Sequence, residues 1–503
     1  MSRTRRPHRL ALLTCSTLAI VSVDARAQIV LERQSLKATG QVLHVVSKDL
    51  DGDGTNELVA IAREGKPSRP SRALLVWRQG AAGMKAAPDF RVPLPERTVG
   101  FDVCDVDAAP GAEIVLLTSR GLEIVRADDG RYAGEPARVA AFHSALGVPD
   151  VMDAPPLELC QLPRGAPGAE VWVPDADGVH VFVVENGALA ERATLGVRPV
   201  ARHLIPDEFR GPRVRRDYAV LTELAFPRLE SRDVDKDGDD DCYATIEDRV
   251  WVFARDGGVL AGKPTNTRSF ELRTDDEWRT DKNRLQVFFG DVTGDGLPDA
   301  VAVKSTGSIA DLATTTRVYA GRGKDGFDDK PFLERASSGY AIAEGVIDLD
   351  GDGAAEILEP KLDTSAVAIA RLVVTGNISM EFRALRARDK KLVEGEEMEL
   401  LFAFDPGGAG VKGTLPLYGQ DIDGDGLTDR VDLGIGDRFT VFRGTKGART
   451  YDEDAAYEVR VPSSRKASWY VPGPKKPASV VVYFPQQKEN GSEILLFSNP
   501  KGR

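Results

Sequence analysis

The stretch DLDGDGTNE at residues 49–57 sets aspartates at its first, third and fifth positions and closes on an acid at its ninth. The same nine-residue frame returns as DVDKDGDDD (233–241), DVTGDGLPD (291–299), DLDGDGAAE (348–356) and DIDGDGLTD (421–429). Looser copies read DVDAAPGAE (105–113), LPRGAPGAE (162–170) and PQQKENGSE (485–493), each keeping the closing acid while losing aspartates. The closing acids are separated by 56, 57, 71, 58, 57, 73 and 64 residues, which is a period with two insertions. Self-similarity at such a period restricts the chain to repeat architectures, because one unit of that length cannot bury its own apolar face.

The flanks identify the elements. Before the loops stand QVLHVVS, RLQVFFG and AIAEGVI; after them come ELVAIA, AEIVLL, DAVAV and EILLFS. These runs are short, β-branched and bounded by turn residues, so each loop joins two strands. Each unit has room for two more, such as ALLVWRQ with FRVPLP, or VWVFARD with TRSFELR. Four strands per unit, repeated, predicts an all-β chain: a propeller of seven or eight four-stranded antiparallel blades. Eight hairpins favour eight blades, the last of about three strands and completed by an N-terminal strand from IVLERQSL that closes the ring. With seven, the C-terminal hairpin packs outside it.

Alternate positions in a tight acidic loop bring carboxylate oxygens to one centre, and the glycine after the third aspartate lets the backbone turn. Positions one, three, five and nine supply side chains, and position seven its carbonyl. The expected ligands are Asp49, Asp51, Asp53 and Glu57 with Thr55; Asp233, Asp235, Asp237 and Asp241 with Asp239; Asp291, Thr293, Asp295 and Asp299 with Leu297; Asp348, Asp350, Asp352 and Glu356 with Ala354; and Asp421, Asp423, Asp425 and Asp429 with Leu427. Calcium, which accepts six to eight hard oxygens in irregular geometry, suits this set at about five sites. Magnesium suits it less, since it retains several waters. An EF-hand needs a bidentate acid at position twelve between two helices; position twelve is Ala60, Ala244 or Ala302 in three loops, and although Glu359 and Asp432 fill it in the other two, the flanks are strands throughout. Solvated Asp-Gly turns would explain one such loop, but not five with a shared spacing.

The residues FFGDVTGDGLPD and YGQDIDGDGLTD resemble FG-GAP or VCBS repeats, the units of the integrin α-subunit propeller and of many exported bacterial proteins. The resemblance spans residues 36 to 499. It implies a propeller with each acidic loop in the hairpin between the first two strands of a blade, and calcium in those loops. The departures in the units ending at Glu113, Glu170 and Glu493 put metal binding there in question.

The N-terminus carries a basic head, an apolar run from Leu10 to Val23 and an Ala-x-Ala end, the pattern of an export signal cut after Ala27. Residues 28–503 then form one propeller with insertions near 197–229 and 358–420, and the product is periplasmic, secreted or at the cell surface. Arg5-Arg6 and Cys15 fit a twin-arginine signal or a lipoprotein acceptor poorly. No later run is long and apolar enough to be a membrane-spanning helix. Removing the signal takes five basic residues and one acid from the formal charge of −12, leaving −16, a sign that argues against nucleic acid. Five calcium ions would bring it to about −6, an ordinary value for a soluble protein.

Three cysteines remain, Cys104, Cys160 and Cys242. Cys104 and Cys160 hold nearly the same place in adjacent units and could pair; two buried free thiols is the expected state, since free cysteine is commonly buried. The charged runs FRGPRVRRDY and FRALRARDKK lie in the insertions and are read as solvated faces. No GxSxG, HExxH or phosphate-binding glycine loop is present, and His44, His143, His180 and His203 stand apart. The expected function is a monomeric binding, adhesion or scaffold module for a protein or glycan partner. The alternative is a carbohydrate-active enzyme such as a calcium-dependent polysaccharide lyase, which needs only a positioned base and a calcium-neutralised uronate.

Overall fold

A computed structural model describes residues 29–499 apart from interruptions, the longest being 147–153, 205–220, 339–344 and 471–477. The export signal at 1–27 and the FRGPRVRRDY run lie outside the described residues. The strands assort into eight antiparallel sheets of four or five strands, which are the blades. Blade 1 takes Gln41–Lys48, Glu57–Lys66, Arg69–Trp77 and Phe90–Pro93, and blade 2 takes Thr98–Cys104, Glu113–Thr118, Gly121–Val125 and Ala137–Ala141. Blades 3, 4 and 5 begin at Cys160, Arg228 and Arg284, and blades 6 and 7 at Val346 and Leu417.

Blade 8 closes the ring. Its strands are Ser468–Tyr470, Val480–Tyr483 and Glu493–Ser498, and the fourth comes from the other end of the chain: Glu32–Lys37 pairs antiparallel with 493–498, Glu32 opposite Ser498 and Lys37 opposite Glu493. The chain thus forms eight blades, and the last has four strands rather than about three.

That topology corrects one loop. Residues 485–492 join the second and third strands of blade 8, not its first and second, so PQQKENGSE is not the eighth acidic-loop position. The connection in the loop position is 471–479. Its described end shows the kinship: the Ala478 amide donates to the Asp421 carbonyl at 2.8 Å, as the Ala355 amide in blade 6 donates to the Asp291 carbonyl at 2.7 Å. Glu493 serves the ring closure instead, accepting from the Ser35 hydroxyl at 2.8 Å and lying 3.4 Å from the Lys37 ammonium.

The apolar residues pack between blades. Val59, Ile61 and Leu74 of blade 1 meet Phe101, Val103 and Ile114 of blade 2. Tyr243 of blade 4 stacks on Phe289 of blade 5 with ring centroids 4.2 Å apart, and Phe439 of blade 7 on Phe497 of blade 8 at 4.1 Å. Eight such clusters, one for each pair of neighbours, complete the circle, the last joining Leu36 and Val481 of blade 8 to Leu58 and Trp77 of blade 1.

The insertions become strands. Val200–Leu204 and Leu221–Ala225 form a two-stranded ribbon between blades 3 and 4. In blade 6 the third and fourth strands lengthen to Asn377–Arg388 and Lys391–Asp405, and Gly410–Lys412 adds a fifth.

Cys104 and Cys160 form a disulfide, with Cα atoms 5.9 Å apart, so the expectation of two free thiols is wrong. Cys104 ends the first strand of blade 2 and Cys160 begins that of blade 3, and the neighbouring first strands bring them together. Cys242 is free and buried.

Candidate metal centre

In seven blades the loop between the first and second strands ends on an acid that is the first residue of the second strand. Glu57, Glu113, Glu170, Asp241, Asp299, Glu356 and Asp429 are all buried. Most of them turn back to hold the loop's start: Glu57 accepts from the Leu50 amide at 2.7 Å, Glu113 from Val106 at 3.0 Å, Asp241 from Val234 at 3.1 Å, Glu356 from Leu349 and Asp429 from Ile422, both at 2.8 Å. In blade 5 the donor is the Thr293 amide to Asp299, at 2.8 Å.

The five full loops repeat one hydrogen-bond scheme. The first aspartate accepts through one oxygen from the amide of position four and through the other from position six: Asp49 from Gly52 and Gly54, Asp233 from Lys236 and Gly238, Asp291 from Gly294 and Gly296, Asp348 from Gly351 and Gly353, Asp421 from Gly424 and Gly426. Positions four and six have positive φ in every full loop, and Lys236, at 66°, is the one non-glycine there. Asp53, Asp237, Asp295, Asp352 and Asp425 accept from the amide of position seven, at Thr55, Asp239, Leu297, Ala354 and Leu427.

The scheme converges carboxylates. Among the described residues, oxygens of Asp49, Asp51 and Asp53, of Asp233, Asp235 and Asp241, of Asp348, Asp350 and Glu356, and of Asp421, Asp423 and Asp425 come within 4.8 Å of one another. In blade 5, Thr293 replaces the third-position acid. Burial pushes the closing acids above the usual carboxylate range, against the backbone donors, reaching about 7 for both Glu356 and Asp429. Glu57, Asp241 and Asp299 are raised for the same first reason, and neighbouring loop aspartates add repulsion. This donor set is chemically fitted to a hard divalent cation, which would relieve both the burial and the repulsion.

Blade 3 lacks the aspartates but keeps the buried acid, and a guanidinium neutralises it. Arg255, from blade 4, places two nitrogens on Glu170 at 2.8 and 3.0 Å and donates to the Asp240 carbonyl at 2.7 Å. Trp172 Nε1 adds a bond to Glu170 at 2.8 Å. Nothing in the loop sequence of blade 3 announces Arg255, because it lies 85 residues away.

Successive loops touch. Besides the bonds from Ala355 and Ala478, the Ala112 amide donates to the Leu50 carbonyl at 2.7 Å, the Asp240 amide to the Arg164 carbonyl at 3.0 Å, and the Thr428 hydroxyl to the Leu349 carbonyl at 2.6 Å. The acidic loops therefore share one rim of the ring.

His180 sits between Asp177 and Glu191, 2.9 Å from each, with its ring stacked near Phe142. Burial lowers its proton affinity, but the two carboxylates outweigh that and leave it raised.

No family model matches this chain, and no curated protein does. Among solved structures it overlays on BBS1N, crystallised in complex with ARL6DN and soaked with lead, at 8% identity, covering 94% of this chain and 97% of that one with a TM-score of 0.36. It overlays on the WD40 domain of SCAP from fission yeast at 9% identity, covering 94% and 99%, with a TM-score of 0.28. Both likenesses are too loose to bear on function.

Proposed function

We propose that this chain is an exported propeller whose blades 1, 4, 5, 6 and 7 bind calcium, and that the ring so stabilised serves as a binding or scaffold module for a protein or glycan partner. The observation that carries the calcium reading is the repetition of one geometry: five loops fold by the same backbone bonds onto the first and fifth aspartates, and four of them bring three carboxylates within 4.8 Å of one another. Such an arrangement is repulsive alone and favourable around a cation. The binding role rests on the architecture. A rigid ring presents loops and insertions, here the ribbon at 200–204 and 221–225 and the long blade 6 hairpin, and partners are recognised on such surfaces.

Metal analysis of purified protein should return about five calcium ions per chain, and chelation should lower the melting temperature substantially, because a ligand that binds only the native state stabilises it. A melt unchanged by chelator and by added calcium would sink the calcium reading. For the partner, glycan and protein pull-downs in calcium give the direct test. Incubation with uronate polymers, followed by ultraviolet absorbance of unsaturated products, separates binding from lyase activity: binding without products supports the module.

A further inference from the structure

The third-position aspartates each carry a basic partner. Arg78 lies 2.8 Å from Asp51 in blade 1, Arg386 2.8 Å from Asp350 in blade 6, Arg443 2.6 Å from Asp423 in blade 7, and Lys324 3.4 Å from Asp235 in blade 4. Three of these come from the same part of their own blade: Arg386 is in the third strand of blade 6, and Arg78 and Arg443 immediately follow the third strands of blades 1 and 7. In blade 4 the register position that these three arginines hold, across from the closing acid, is Ala254; the next residue, Arg255, is turned to Glu170, and Lys324 reaches across from blade 5 to Asp235.

Blade 5 shows what the pattern answers to. Its third position is Thr293, an uncharged side chain, and there the nearby ammonium of Lys236 contacts the Asp295 carbonyl rather than a carboxylate. Among the described residues, each loop with a third-position aspartate has a basic side chain against it, and the loop with threonine there has three ligand-position carboxylates rather than four.

We propose that Arg78, Lys324, Arg386 and Arg443 are built-in counter-charges, which hold the third-position carboxylate in the metal-free ring and weaken the loop's grip on a divalent cation. The inference rests on the calcium reading and deepens it. The physical argument is one of sign. A guanidinium beside Asp423 attracts the loop acids when no metal is present, and repels a doubly charged ion brought to the same oxygens. The residue therefore trades calcium affinity for metal-free stability. Merely structural residues lower both when removed, and residues that position a ligand lower affinity.

The test uses Arg443→Gln, because Asp423 is the most buried of the four acids, and Thr293→Asp, which adds a third-position carboxylate to blade 5. Calcium affinity is measured by calorimetry on full-length mature protein, and the melting temperature in chelator. Both variants should melt lower than wild type without metal, and each should gain one site that binds calcium roughly tenfold more tightly, as expected for removing or adding one charge near a divalent ion at partly screened distance. Arg386→Gln serves as a second removal if Arg443→Gln does not fold. Tighter binding with lower metal-free stability supports the assignment. Unchanged or weaker binding in the removal variants overturns it while leaving the calcium sites standing, whereas no calcium binding by wild type overturns the underlying reading.

Discussion

Single residues here are held in states that only the ring makes tolerable. Asp102, in the first strand of blade 2, accepts from its neighbour's amide at Val103 and, across the blade boundary, from the Cys160 amide at 2.8 Å. Burial pushes its carboxyl up to about 6, above what those bonds can offset. The folded value exceeds the unfolded one, so its contribution is fully present below about pH 4 and is lost as pH rises through about 6, by roughly 3 kcal/mol for a two-unit shift. Asp102→Asn should remove that dependence: between pH 4 and 7.5 its stability relative to wild type should improve by up to about that amount in urea titrations. A difference between the two proteins that ignores pH would mean the carboxylate is not buried in its ionised form. The loop glycines give a second residue-scale test. Gly353 has φ +92° and nothing within 4 Å of where a Cβ would stand. Gly353→Ala should therefore cost roughly 1–2 kcal/mol through backbone strain alone, read as a lower denaturation midpoint in chelator.

At the scale of the element, the loops were legible and their exceptions were not. Aspartates at alternate positions and a glycine that must turn leave a signature in adjacent residues, so all five full loops, their flanking strands and the closing N-terminal strand can be read from the chain. Glu493 misleads because Gly-Ser-Glu before a β-branched run looks like a loop end, whereas the strand pairing places the true connection at 471–479, where Lys475 and Lys476 stand instead of acids. The Cys104–Cys160 disulfide and the Arg255–Glu170 pair are likewise invisible locally, because each depends on how close one blade lies to the next. That pair makes its own prediction. Its side chains are 0% and 3% exposed, so removing one partner strands a buried charge. Arg255→Met alone should cost about 3–5 kcal/mol, and adding Glu170→Leu should recover most of it. A double variant no more stable than Arg255→Met would show that packing around the guanidinium, not its charge, secures blade 3.

The whole molecule depends on a strand contributed by the opposite end of its chain. Without Glu32–Lys37, the strand at 493–498 becomes a free sheet edge, and Ile29, Leu31 and Leu36, all buried, lose partners in blades 7, 8 and 1. Each such side chain contributes about 1.5–3 kcal/mol on burial, a large part of the 5–15 kcal/mol that holds an ordinary domain folded. Truncation before Ala38 should therefore lower the melting temperature sharply and shift the protein toward oligomers on size exclusion, as exposed edges pair between chains. Covalent order, by contrast, should be dispensable. Glu32 lies opposite Ser498, so a short linker from the C-terminus to Ile29 makes an ordinary hairpin, and the bend between Lys37 and Gln41 can be opened to give new ends. This circular permutant keeps every blade and every interblade cluster while cutting the link from strand Glu32–Lys37 to blade 1. It should melt within a few degrees of wild type, with unchanged calcium response. A permutant as unstable as the truncation would place ring closure in the connection at 38–40 rather than in strand pairing, and the closed circle would no longer be what holds the eight blades together.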